Sequence, residues 1–151
     1  MNYEITSDTQ AILPMGKDCT KIIEQGDEYI INIKAHSILE HSCEYFGSSM
    51  DGRKDGTKKL IGVTHKAPII VEESRQIIFF PTKSPENDDC IWVNLNSIDK
   101  YYKIGPKSSE ILFKNGKKVS FDVSFGSLSN QILRATRLKF VLEERINKKD
   151  N

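Results

Sequence analysis

Arg53, Lys54, Lys58 and Lys59 fall within residues 46–59, FGSSMDGRKDGTKK, together with Gly47, Gly52 and Gly56. Guanidinium and ammonium groups on a backbone freed by glycine from the usual steric limits suit one chemistry above others, the neutralisation of a polyanion, of which nucleic acid is the commonest in a cell. Met50 is the only apolar side chain between Gly47 and Lys59, too little to anchor the segment to a core. The stretch therefore reads as a basic, glycine-rich loop that meets something outside the fold; the plainer alternative is an ordinary solvated loop. Arg134 and Arg137, about one helical turn apart, with Lys139 close by, repeat the cationic chemistry on a second segment and could hold phosphates.

Other chemistries are carried less well. Residues 47–54, GSSMDGRK, approach a phosphate-cradling loop, but that motif needs Lys then Ser or Thr after its second glycine, between a strand and a helix. Arg53 and Lys54 stand there instead, with a predicted helix before and a strand after, so neither the magnesium-binding hydroxyl nor the helix N-terminus is in place. Cys19, His36, His41, Cys43, His65 and Cys90 include zinc-type donors, yet only His41 and Cys43 lie close in sequence and no CxxC occurs. Free cysteines packing as small hydrophobes account for them better, and neither a metal nor another cofactor is expected. No activated serine or cysteine turn is recognisable, which argues against an enzyme.

The elements that must position the cations follow from length and pattern. A chain of 151 residues, 38% hydrophobic and 28% charged, suits a single globular domain rather than a disordered segment. Its first residues lack a signal-peptide pattern and its longest apolar runs, such as residues 77–80, are too short to span a membrane. Three widely spaced cysteines suit reduced thiols, so a cytoplasmic chain is expected. The formal charge of +1 conceals a segregation: residues 1–46 carry net −5, residues 47–66 net +3, residues 67–99 net −4 and residues 100–151 net +7. If the fold brings the two basic regions onto one face, that face is a polyanion surface; if the charges interleave, they cancel.

The pattern predicts an α+β protein with a mainly antiparallel sheet, a short helix before the basic glycine-rich loop, and a long C-terminal helix. Runs 19–25 and 29–33 around Gly26-Asp27 form a hairpin, and Ala35, Ile38, Leu39, Cys43 and Phe46 mark a helix closed by Gly47. Strand-like runs follow at 60–64, 69–71, 77–80 and 90–95, with 82–89 a surface loop. Asn115-Gly116 between runs 109–114 and 117–124 is the strongest hairpin signal. Leu128, Ile132, Ala135, Leu138, Leu142 and Ile146 make one stripe of a helix begun by Ser124 or Ser127, and residues 147–151 should fray. Trp92, inside the apolar run 90–95, and the pair Tyr101 and Tyr102 are expected in the core or at a dimer interface rather than as base-stacking platforms.

Taken in order, residues 43–57 (CEYFGSSMDGRKDGT), 65–71 (HKAPIIV), 80–82 (FPT) and 113–116 (FKNG), then Ser124 and Asn130-Gln131, resemble the ComK family of bacterial competence transcription factors. The resemblance covers roughly residues 11–146 and makes 1–151 a single ComK-like DNA-binding domain. It implies an activator of DNA-uptake genes that acts as paired homodimers, a tetramer on double-stranded DNA, at A/T-rich boxes read through the minor groove, with RNA polymerase as a further partner. Minor-groove readers use Arg, Lys, Asn and Gln, and narrow A-tract grooves attract inserted cations. On that footing Arg53 and Lys54 are placed in the groove, and Lys58, Lys59, Arg134, Arg137 and Lys139 on phosphates. Longer members of the family are implied to carry a tail that engages an adaptor for a Clp protease; with the sequence ending at Asn151, that partner is not expected here. The alternative is a protein-interaction module that heterodimerises with a longer ComK-type regulator and modulates it.

Overall fold

Nine strands and three α-helices make up residues 3–149, those described by the computed structural model. β1 (Thr9–Pro14), β2 (Thr20–Glu24) and β3 (Glu28–Ile31) form a meander, followed by α1 (Ala35–Tyr45) and α2 (Met50–Ile61). β4 (Ile69–Glu72), β5 (Ile77–Pro81) and β6 (Trp92–Asn94) complete one sheet, in the order β3-β2-β1-β6-β5-β4. After a single 3-10 turn (Leu95–Ser97), β7 (Ile98–Gly105), β8 (Ser108–Phe113) and β9 (Lys118–Phe121) form a second sheet, and α3 (Phe125–Lys149) closes the chain. Every pairing is antiparallel, so the protein is of the α+β class.

β4, β5 and β6 are buried at every position because both faces of the large sheet are covered. Ile12, Ile22, Ile69, Phe79 and Trp92 pack with Ile38, Leu39 and Cys43 of α1 on one face. Ala11, Ile70, Ile78, Phe80 and Val93 pack on the other with Phe113 and Phe121 of the small sheet and Leu128, Ala135 and Leu138 of α3. Trp92 is 1% exposed, as the apolar run around it predicts. Tyr101 stacks on Phe125 with ring centroids 5.3 Å apart, whereas Tyr102 lies on the open side of β7. The 115–116 hairpin forms as expected, with Gly116 at φ +90° and the Phe113 N–H donating to the Lys117 carbonyl at 2.8 Å.

Two expectations are corrected. The basic stretch is not a loop: Met50–Ile61 is helical, and only residues 46–49, the connection to α1, are not. The helix tolerates Gly52 and Gly56, at about 1 kcal/mol each against alanine, because its ends are well made and its inner side is held. The Gly52 N–H donates to Ser49 Oγ at 2.9 Å, Asp51 sits in the first turn, Lys58 and Lys59 in the last, and Gly62 caps it at φ +73°. Met50 and Thr57 are buried, and Thr57 Oγ1 donates to the Pro68 carbonyl at 2.6 Å. Nor is there a strand at 60–64: Leu60 and Ile61 finish α2 and pack against the second core cluster, so their apolar pair is the end of a helical stripe. Ser49→Ala is expected to lower stability by about 1 kcal/mol, read as a drop in thermal midpoint; a loop would show none.

α3 starts where Ser124 Oγ accepts the Ser127 N–H at 3.2 Å and runs through Lys149. Of the expected fraying at 147–151, residues 150 and 151 lie outside the described residues. No helix among the described residues is long and apolar enough to cross a membrane.

Candidate nucleic-acid interface

The cations singled out by sequence occupy two helices that touch each other. On α2, Arg53 is turned inward, its side chain 15% exposed, and Nη1 donates to Glu73 Oε1 at 3.1 Å. Lys54 is half-buried, Lys58 is exposed, and Lys59 pairs with Asp55 one turn earlier at 3.3 Å, an exposed contact that solvent screens. On α3, Arg134 Nη1 donates to the His65 carbonyl at 3.1 Å and to Gln131 Oε1 at 3.3 Å. Arg137 is exposed. Lys139 Nζ donates to Asn96 Oδ1 at 2.8 Å beside the 3-10 turn. Two residues apart on a helix means roughly 200° of rotation, so Arg137 and Lys139 cannot share one contact surface. The seven therefore do not converge on one surface: Arg53 faces Glu73, Arg134 the His65 carbonyl and Lys139 Asn96.

What does converge is a group of lysines that sequence reading passed over. Lys66 in the α2–β4 connection, Lys83 in the β5–β6 loop and Lys107 in the β7–β8 turn line an open cleft of about 520 Å³ at the start of α3, with Ser124, Ser127 and one acid, Asp122. A smaller crevice of about 90 Å³ shares Lys66 and adds Lys54 and Glu86. Lys66 closes the basic region 47–66 and Lys107 belongs to the basic region 100–151, so the fold brings the two basic regions together at this cleft. Lys83, Ser84 and Asn87 come from the acidic region 67–99, so the cleft draws on that region as well.

The Lys66 backbone is set by α3. Gln131, 1% exposed, donates from Nε2 to the Lys66 carbonyl at 2.8 Å and to the Pro81 carbonyl at 2.7 Å. Lys66 itself has φ +50°, a region non-glycine residues enter seldom and which surrounding structure must enforce. The signal for Gln131 was present in the sequence: it lies on the apolar stripe between Leu128 and Ala135, where a polar residue is buried only with partners. The lysines carried no such mark, being single cations in separate loops.

The thiols are dispersed. Cys43 and Cys90 are buried, Cys19 is half-buried, and no group of three potential metal-binding His, Cys, Asp or Glu side chains forms among the described residues. Burial pushes the Cys43 and Cys90 thiols up to about 11, countered only in part by Arg53 at Cys43 and by the backbone of Lys83 and Thr82 at Cys90. A thiol reagent at pH 8 is accordingly expected to label Cys19 quickly and the other two only after unfolding; rapid labelling of all three would contradict the packing.

Together, fold and cleft define an antiparallel α+β protein with a lysine-lined cleft at the start of its last helix. The chain belongs to the ComK family: the family model described as ComK protein matches residues 1–147. It is 36% identical over 149 residues to the competence transcription factor of Bacillus subtilis (strain 168), covering 97% of this chain and 78% of that protein. No solved structure matches.

Proposed function

We propose that this protein is a DNA-binding transcriptional regulator, an activator of competence or related genes that recognises A/T-rich boxes through the minor groove, and not an enzyme. The observation that carries the reading is the meeting of both basic regions at one cleft beside Lys54, in a chain of the ComK family. Phosphate neutralisation supplies affinity, and groove width supplies preference for A/T tracts. Lys54 and Arg53 remain the groove readers in this reading; Arg53 takes part by exchanging Glu73 for acceptors on the base edges. Lys58, Lys59 and Arg137 reach phosphates from exposed helix positions.

A second reading has its own observation. Leu133 and Phe140 lie seven residues apart on α3 and are 65% and 58% exposed, an apolar pair on the side away from the core. This favours association through α3, either of two copies of this chain or with a longer ComK-type regulator that it modulates.

The test is fluorescence anisotropy with a labelled duplex carrying two A/T boxes, against a G/C-rich duplex of equal length, across a salt series. Tighter A/T binding with a steep negative salt slope is expected. Weak and equal binding to both would remove the DNA reading, and a mixed species with a longer relative in size-exclusion chromatography would then support the second.

A further inference from the structure

We infer that the cleft at the start of α3 is the track for the DNA backbone, with Lys66, Lys83 and Lys107 as its phosphate contacts and with Gln131 and Arg134 as positioning residues acting through Lys66. The inference rests on the DNA reading and specifies where on the molecule the strand runs. Its chemistry is that of phosphodiesters: three lysines from three loops line one opening with a single acid, Asp122, and Asp89 joins Lys83 and Asp122 only in the adjoining crevice. Lysine holds phosphate as a compact point charge and needs no fixed fork geometry, so anchorage from loops suffices if the loops themselves are held.

They are held. The Lys66 carbonyl is fixed by the buried Gln131 amide at 2.8 Å, and the preceding His65 carbonyl by Arg134 at 3.1 Å. The same Gln131 amide ties down Pro81, two residues before Lys83, at 2.7 Å. Lys107 sits in the connection between β7 and β8, whose register is set by pairings such as Lys103 with Ser109. One buried side chain of α3 thus couples two of the three loops, and the positive φ of Lys66 is the conformational cost of aiming it. Lys54 at the neighbouring crevice continues the cationic lane toward α2. Arg134, by contrast, turns Nη1 to the His65 carbonyl and to Gln131 Oε1, which is why its contribution is positional.

The experiment uses the intact chain and the duplex with two A/T boxes. Lys66→Asn, chosen because asparagine tolerates positive φ, Lys83→Gln and Lys107→Gln are each expected to lower the salt slope by about one and to weaken binding about 5-fold near physiological salt. The triple variant is expected to lose roughly 100-fold. Lys114→Gln, in the turn at the far end of β8, should change neither. Arg134→Ala should lower the slope by about one in the parent and add no further loss to Lys66→Asn, because it acts through that lysine. A triple variant that binds like the parent, or a Lys114→Gln loss equal to the others, overturns the track while leaving DNA binding in place. A further drop for Arg134→Ala in the Lys66→Asn background makes Arg134 a phosphate contact itself and overturns its positioning role. Failure of the parent to bind any duplex removes the DNA reading and the track together.

Discussion

Gln131→Ala is expected to lower folding stability by about 2–4 kcal/mol and to weaken duplex binding by about as much as loss of Lys66. The amide donates to two carbonyls from a position 1% exposed, so its removal leaves acceptors of Lys66 and Pro81 without their donor in a site that water enters poorly. Pro81 lies in β5 inside the core sheet, whereas Lys66 lies in a loop. The stability loss should therefore come mainly from the Pro81 side and the binding loss from the Lys66 side. Gln131→Glu separates charge from shape: the carboxylate fills the same space but has no donor for either carbonyl, and should be at least as damaging above its own pKa. Thermal melts and anisotropy on both variants check this. A stable Gln131→Glu protein with unchanged affinity would show that the amide clamps nothing.

The second large effect is at Trp92. Trp92→Ala is expected to cost about 3–5 kcal/mol, a large part of the 5–15 kcal/mol typical of a domain, and to lower the thermal midpoint by on the order of 10 °C. β6 is three residues long and sits between β1 and β5, with Trp92 opposite Ile12 on one side and Pro81 on the other. The side chain faces the core layer shared with α1, so the cavity would open under the middle of the sheet, where neighbours on paired strands cannot collapse into it. Circular dichroism is the right probe, since this is the chain's one tryptophan. Trp92 and the cleft residues lie in different layers. At temperatures where Trp92→Ala remains folded, its salt slope on DNA should match that of the parent, in contrast with Gln131→Ala.

These two residues illustrate what sequence reasoning reached. Trp92 was legible as core because its neighbours are apolar and the run is short. The 115–116 hairpin and α3 were equally legible, since turn chemistry and a helical stripe are written locally. α2 was not. Its glycines and charges resemble a loop over any short window, and its helical character comes from Ser49 and Gly62 at its ends and from Thr57 and Leu60 on its inner side. Leu60 and Ile61 read as the start of a strand because an apolar pair after a charged stretch has no period of its own. β1 and β7 gave weak local signals; β1 is specified by β2 and β6 on either side, and β7 by β8.

The α+β class, the separation of charge into two basic and two acidic regions, and the blocks that mark the ComK family are legible before any folding, because composition, periodicity and motif order are properties of the chain alone. Which cations stand beside one another is decided only by tertiary structure. Lys66, Lys83 and Lys107 are far apart along the chain and line one cleft, where Gln131 and Arg134 of α3 hold the connections that carry Lys66 and Lys83. Arg53 and Lys139 read as free cations in sequence, yet one faces Glu73 and the other Asn96 once the helices pack. A side chain's charge is local, but its availability depends on what the fold places opposite it.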